Sequence, residues 1–326
     1  MTIKILNAII AVVGGVAGAI VVYYLLNKLA ELLPGKWEDR VKPYLYLLPA
    51  LAAIGLYLVY PAIQTFVYSF ANKNSTAFVG FENYTNLLAS PNFQNTLFNT
   101  FLWILLAPAG SIVIGLLIAT LADRLRPRGE KLSKTLIFLP MAIGGVSASV
   151  IWKFVYASNP GENQIGLLNG IVTGFGLDPV NWLQLSGFRF NSLLLMVMFL
   201  WLQAGFAMVL LSAAIKGVPT ETLEAARLDG AGEGAIFFRI VIPQIRTTLI
   251  TVFVTVLIGV LKTFDIVYVM TNGNFNTNVI AVDFFNQMFT NRNAGYAAAI
   301  VVMLLIVMIP VLVFQIRQFL AEEAAR

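Results

Sequence analysis

The chain has no cysteine and no histidine among its 326 residues. That removes thiolate nucleophiles, disulfides, soft metal sites and any imidazole general base. Charge is scarce as well: Asp, Glu, Lys and Arg supply 11% of the residues, where ordinary soluble domains carry about 25%. Hydrophobic residues reach 59%, and the mean hydropathy is +0.82. Such a chain cannot cover a globular surface with polar groups, so soluble, disordered, collagen-like and disulfide-stapled classes are all excluded. The apolar stretches hold no pair of carboxylates and no serine beside a base, which leaves an intramembrane hydrolase without support. The Walker pattern G-x-x-x-x-G-K-[ST] is missing too, so no phosphate cradle of that kind is expected. No catalytic residue, metal or cofactor is assigned to this chain.

What is present is a series of long apolar runs. About 20 such residues cross a bilayer as a helix, and lipid tolerates only helices or closed barrels. Barrel strands alternate over roughly 10 residues, unlike anything here. The runs predict seven helices at about 5–27, 43–70, 98–122, 135–156, 190–215, 247–270 and 296–319. The expected fold is an all-α integral membrane protein, a polytopic helix bundle. The first run is too long for a signal h-region and is followed by Lys28, Lys36, Arg40 and Lys42 rather than a cleavage site, so it reads as a retained helix, residues 1–35. Its Gly14 and Gly18 form a GxxxG pair, either a close helix contact or incidental glycines facing lipid.

Net charge is +5. In a membrane protein the distribution of the cations along the chain carries the information, and the partner they imply is a bilayer, not a nucleic acid. Alternate connections hold Lys28, Lys36, Arg40 and Lys42; then Arg124, Arg126, Arg128, Lys131 and Lys134; then Lys216, Arg227, Arg239 and Arg246; then Arg317 and Arg326. The opposite side holds Lys4, Lys73, Lys153, Arg189 and Arg292, and Lys262 falls inside a span. The asymmetry, 15 of the 21 cations against 5, puts the N-terminus outside and the C-terminus in the cytoplasm of a cell membrane. The outer connections, about 71–97, 157–189 and 271–295, are too short for a ligand-binding domain. The segment 78–97 mixes aromatics and amides and is expected to lie along the surface, as a cap or as a docking strip for an outside partner.

The loop at about 216–246 differs from everything around it. It reads KGVPTETLEAARLDGAGEGAIFFRIVIPQIR. Pro219 suits a first helical turn, and Glu221 and Glu224 lie where the helix dipole favours acids. Ala225 and Ala226 combine helix propensity with minimal side chains, so another backbone can come close. Gly230 fits a left-handed cap, Gly232 and Gly234 loosen the connection, and a second amphipathic stretch ends at Pro243. The result is a helix–turn–helix on the cytoplasmic face, a natural knob for a soluble partner.

The order Glu224-Ala225-Ala226, three residues, Gly230, nine residues, Ile240, one residue, Ile242-Pro243 resembles the EAA loop of binding-protein-dependent ABC importer permeases. The usual Leu before the proline is Ile242, and a second proline found in many members is replaced by Thr247. PYLYLLPALAAIGLYLVYPAIQTFVYSF with FVGFENYTNLL looks like the opening of a MalF-type carbohydrate permease, and KTFDIVYVMTNGNF at 262–275 is similar to permeases for α-glucosides. The resemblance implies a six-helix MalF-like core within 36–326, with helix 1–35 additional to it. It implies that Glu224, Ala225, Ala226, Asp229, Gly230 and Pro243 couple the chain to a cytoplasmic ATP-binding subunit, and that ATP and Mg sit on that partner. The implied assembly has a MalG-like second permease, two ATP-binding subunits and an extracytoplasmic solute-binding protein, and it imports a sugar. An ion-coupled secondary transporter, a permease for a non-sugar solute and a membrane scaffold are the competing readings; the first would normally show inverted repeats and buried titratable relays.

Two polar groups of residues interrupt the spans. Phe199, Leu202, Gln203 and Phe206 recur at i, i+3, i+4 and i+7 and so share one helix face, where rings can stack on sugar C–H faces while an amide reads hydroxyls. The corresponding face lines the sugar cavity in MalF-like permeases. Lys262 and Asp265 lie three residues apart on one expected helix with Thr263 between them, as a structural ion pair or as polar groups on the solute path. Topology has a direct test, because the chain has no native cysteine. A cysteine at Asn74 is expected to react with an impermeant thiol reagent from outside and one at Arg128 only from the cytoplasm; the opposite pattern would overturn the charge-based orientation.

Overall fold

A computed structural model describes residues 2–159, 161 and 164–324; Arg326, counted among the cytoplasmic cations, lies outside the described residues. The described residues are helical nearly throughout, and the only β pairing among them is a single antiparallel bridge between Ala71 and Phe78. Packing divides the chain into two compact units, Met1–Val67 and Tyr68–Arg326.

The first unit is a helical hairpin. Helix α1 (Thr2–Glu31) turns at Gly35 into α2 (Lys36–Ile54), which continues through a π turn, Gly55–Val59, into α3 (Tyr60–Tyr68). Stacked Tyr23 and Tyr46 and a 2.8 Å hydrogen bond from Tyr46 Oη to Asn27 Oδ1 join α1 to α2. Gly14 and Gly18 have open space where a side chain would stand, so the GxxxG pair makes no close contact within this chain. The π turn ends two residues before Pro61. A proline ring collides with the carbonyl four residues back, and a wider turn there relieves the collision.

In the second unit the segment after α3 closes with the Ala71–Phe78 bridge and leads to α4 (Glu82–Ala89). Phe70, Phe81 and Tyr84 cluster there, and Asn83 Nδ2 donates to the carbonyls of Ser69 and Ala71. Helix α5 (Pro91–Ala122) is followed by α6 (Pro127–Phe138), α7 (Gly145–Val155) and α8 (Leu167–Gly174). Helix α9 (Phe190–Lys216) is the axis of the unit, packed by α5, α6, α7 and the later helices Arg246–Leu261 and Asp265–Met270. Its buried Leu195, Met198, Ala207 and Leu211 meet Trp103, Val252 and Val256 in the main core. After the loop helices α10 (Thr220–Leu228), α11 (Glu233–Ile236) and α12 (Ile242–Gln244) come α13 (Arg246–Leu261), α14 (Asp265–Met270), α15 (Ile280–Phe285) and α16 (Ala294–Ala324).

Five helices among the described residues are long and apolar enough to span a bilayer, and two bent pairs bring the number to seven. Two breaks inside expected spans correct the sequence reading. The run at 135–156 breaks between Ala142 and Gly145 with a bend of 105°. The run at 247–270 ends its first helix at Leu261 and begins another at Asp265. Hydropathy averages over a window and cannot see a change of direction inside an apolar stretch, so a broken helix and a straight one read alike.

Close packing around α9 depends on small residues. A side chain added at Gly205 would stand 2.7 Å from the Ile137 carbonyl oxygen and 2.7 Å from Phe138 Cα. Both are backbone atoms of α6 that cannot rotate away, and small residues are what let membrane helices approach so closely. Gly205→Ala is expected to destabilise the protein by about 1–3 kcal/mol, the usual cost of overpacking. The check is a lowered thermal unfolding midpoint in detergent, with Gly14→Ala as a control that leaves it unchanged or raised.

Candidate functional site

The break between α13 and α14 builds the first candidate site. Helix α13 ends at Leu261 with Lys262 as its C-cap, and Asp265 stands in the first turn of α14. Each charge therefore sits at the helix end whose dipole stabilises it: the cation at a C-terminus, the acid at an N-terminus. The expectation of one helix carrying an i, i+3 pair is corrected, and no ion pair joins Lys262 to Asp265 among the described residues. Asp265 instead faces the start of α7, where a side chain on Gly145 would stand 3.2 Å from Oδ2. Between the two charges, Thr263 is buried; the Lys262 N–H bonds the Gly259 carbonyl at 3.2 Å and the Thr263 N–H bonds the Val260 carbonyl at 2.9 Å, and the Thr263 hydroxyl adds a second, 3.3 Å bond to Gly259.

A cavity of about 220 Å³ opens at this break. Phe199, Leu202, Gln203, Lys262, Thr263 and Asp265 all line it, so six of the seven residues singled out from two separate stretches of sequence converge. Phe206, the seventh, packs against the main core and is not part of the wall. Phe199 is 6% exposed and meets Trp103 edge to face at 5.7 Å, so most of its ring is spent on packing. Gln203 makes no hydrogen bond to another described residue and presents its amide to the cavity. The remaining wall includes Ile143, Gly145 and Phe264. Phe264 lay within reach of sequence reasoning, being between the two charges; Ile143 and Gly145 come from the break at the start of α7, over a hundred residues earlier, and carry no local signal.

The loop at 216–246 forms the second candidate site. Pro219 caps the N-terminus of α10 and stands one residue before the helix, not within its first turn. At the other end the backbone N–H of Gly230 bonds the Arg227 carbonyl and that of Ala231 bonds the Ala226 carbonyl, with Gly230 at φ +81°. This is a complete Schellman closure, with Ala226 and Ala231 packed in the same small core, and it places the glycine where the spacing predicted. Arg227 Nε donates to Glu233 at 2.8 Å across the turn, and that hydrogen bond and charge hold the Glu233 carboxyl below its usual range. The second stretch does not stop at Pro243: a π turn, Phe237–Val241, takes up the proline's steric conflict, and α12 runs on to Gln244 before a 70° bend into α13.

Val218, Ile236, Val241 and Ile245 give the loop its own core, seated on Leu116 of α5, Ala214 and Ile215 of α9 and Leu249 of α13. Pro243 is exposed, as are Glu224, Ala225, Asp229 and Gly230. Leu228, 89% exposed, and Phe238, 70% exposed, stand out on the loop and were not singled out beforehand. Beneath the loop, Lys134 bridges Asp123 and Glu130 at 2.6 and 2.7 Å, and Lys216 also pairs with Glu130, which ties the ends of α5, α6 and α9. Sequence gave these charges a topological meaning only; their pairing needed the fold.

Residues 111–318 match the family described as the binding-protein-dependent transport system inner membrane component. The chain belongs to this family. Among curated relatives of this permease, the osmoprotective compounds uptake permease protein GgtC of Synechocystis sp. is 47% identical over 283 residues, covering 86% of this chain and all of the relative. The alpha-glucoside transport system permease protein AglF of Rhizobium meliloti is 45% identical over 287 residues, covering 87% of this chain and 84% of its own. Among solved structures, a bacterial alginate ABC transporter in complex with an alginate pentasaccharide-bound periplasmic protein matches with a TM-score of 0.70 at 23% identity, over 86% of this chain and 95% of that one. That likeness concerns the fold.

The cap makes a testable claim about the loop. Gly230→Val is expected to increase protease cleavage within 219–246 severalfold while the chain still inserts, because a β-branched residue resists the left-handed conformation. Gly230→Asn, which tolerates that conformation better, should fall between the two. Equal cleavage in all three proteins would show that the cap does not hold the loop.

Proposed function

We propose that this permease is one membrane subunit of an ATP-driven importer for a small neutral sugar or glycoside, with an α-glucoside as the favoured solute. The 45% identity to a permease named for α-glucosides, extending over 87% of the chain, carries this reading. The cavity supports it: an unpaired amide, apolar and aromatic walls, and one cation against one acid suit a neutral polyol better than a phosphate, which would want several cations or helix N-termini. An osmoprotective solute is the second reading, favoured by the 47% identity to the GgtC permease.

In the proposed cycle α10 seats in a cleft of a cytoplasmic ATP-binding subunit, with Glu224, Ala225, Asp229 and the exposed Leu228 at the contact. ATP and Mg belong to that partner, and this chain performs no hydrolysis. Because the loop has its own core resting on α5, α9 and α13, a displacement of α10 moves those helices as a body and reaches the break at Lys262 without a flexible link. A second, MalG-like permease, two ATP-binding subunits and an extracytoplasmic binding protein complete the assembly. The loop then faces the cytoplasm, which agrees with the cation asymmetry and places the N-terminus outside.

Reconstitution with these partners in proteoliposomes tests the proposal. ATP inside, with binding protein and α-glucoside on the other side, is expected to drive accumulation, while an ion gradient without ATP gives none. Accumulation driven by the gradient alone would sink the importer reading, and accumulation of an osmoprotectant but no glucoside would favour the second solute. Gln203→Leu should lower glucoside uptake severalfold without preventing assembly, since one lost hydrogen bond is worth about 0.5–1.5 kcal/mol.

A further inference from the structure

Helix α9 carries Lys216 at the end that enters the coupling loop, and its other end begins at Arg189. Beside Arg189 the segment 271–278 is folded into a rigid cup. The Thr271 and Thr277 hydroxyls share a 2.6 Å hydrogen bond, and Asn191 Nδ2 donates to the Phe275 carbonyl at 2.8 Å. Arg189 donates from Nη1 to the Asn276 carbonyl and from Nη2 to Asn95 Oδ1, both at 2.7 Å, and its guanidinium lies 5.4 Å from the centre of the Phe98 ring. Asn272, Phe275 and Asn276 have φ of 52°, 57° and 62°, a left-handed backbone that asparagine tolerates but a bulky residue such as Phe275 rarely adopts. Strain of this kind persists where surrounding bonds over-determine it, and it clusters at ligand sites.

The cup, the start of α5 and α15 enclose a cavity of about 390 Å³, larger than the one at Gln203 and sharing no wall residue with it. Its volume falls in the range of about 300–1,000 Å³ typical of small-molecule sites. The side chains of Asn92, Asn272, Asn274, Asn276 and Asn286 line it, and none of them makes a hydrogen bond to another described residue. Asp283 adds one carboxylate, held by the amides of Asn278 and Gln287 and pushed up by burial. Phe93 and Tyr296 supply ring surface. No lysine or arginine is among the described residues of the wall, because Arg189 is turned to the back of the cup.

We propose that this cavity is a second, low-affinity binding site for a neutral sugar, where a pyranoside is held at the far end of α9 from the coupling loop before it reaches the Gln203 cavity. The proposal rests on the reading of the chain as a sugar importer's permease and deepens it. Each primary amide offers a carbonyl acceptor beside two N–H donors, which matches a hydroxyl that both donates and accepts. Five such amides around one cavity, none committed elsewhere, can bracket the vicinal hydroxyls of a sugar ring. An anion would find no cation there, and a calcium ion, which takes six to eight oxygens usually including several carboxylates, would find a single carboxylate.

The test uses the assembled transporter in nanodiscs without binding protein, with methyl α-glucoside as probe and saturation-transfer NMR as readout. Wild-type protein and Gln203→Leu are expected to transfer saturation to the sugar. In the Gln203→Leu background, which removes the first site's amide, a protein that also carries Asn274→Leu/Asn286→Leu and still assembles with its partners should lose about tenfold or more of that signal, as expected for two lost hydrogen bonds. Asn274→Gln, which keeps an amide, should retain most of it. An unchanged signal on adding that pair of substitutions, no transfer to wild type, or abolition of the signal by millimolar calcium chloride would each overturn the site. Parallel ATP-driven uptake separates the two claims: wild-type protein that imports the glucoside but gives no signal overturns the site alone, and protein that imports no glucoside takes the importer reading down with it.

Discussion

Hydrocarbon offers no hydrogen bond to a peptide group, and each buried group left unpaired costs on the order of several kcal/mol. The fold follows from that constraint, and so does the location of its chemistry. Where the chain can remain helical it does so for up to 32 residues, as in α5. Where it breaks inside an apolar run, local groups must take over the freed backbone. At Lys262–Phe264 they do: the backbone N–H groups of Lys262 and Thr263 tighten onto the Gly259 and Val260 carbonyls, a cation caps one helix end and an acid opens the next. Irregular backbone at membrane depth is tolerated only against protein or a cavity, which is why the break, the charges and the cavity coincide.

Helix α9 turns this local event into an architecture. It carries Gln203 at the cavity, Gly205 at the closest approach to α6, and Lys216 at the entrance to the coupling loop. The cavity wall and the loop's seat are therefore parts of one 27-residue helix. The loop adds its own small apolar core and a Schellman-capped helix, and the charges of Asp123, Glu130, Lys134 and Lys216 bind the helix ends below it. In the proposed cycle this stiffness is the functional property. A joint that transmits displacement needs rigid ends and small contact residues, and it needs no reactive group.

Several features of the site were legible because they are local. The dipole preference of acids and cations, the helix propensity of Ala225 and Ala226 and the left-handed requirement at Gly230 act over a few residues, so spacing alone exposes them. The face of Phe199, Leu202 and Gln203 was legible for the same reason, since helical periodicity fixes which residues point together. Phe206 shows the limit of that rule: it shares the face but lies beyond the break that makes the cavity. Lys262 and Asp265 show another limit, because a short interruption leaves composition almost untouched while it rotates every residue that follows.

Composition and periodicity by themselves determined that the chain is a helical membrane protein, roughly where its helices run and where the helix–turn–helix loop at 216–246 stands. These are properties of solvent and of neighbouring residues, and they average safely over a window. Tertiary structure alone decided that Gly145 faces Asp265, that Gly205 touches the α6 backbone, and that Arg189 and Asn191 hold an asparagine-lined cup more than eighty residues away. Those contacts join residues through space, at distances set by how whole helices cross, and no local preference encodes them.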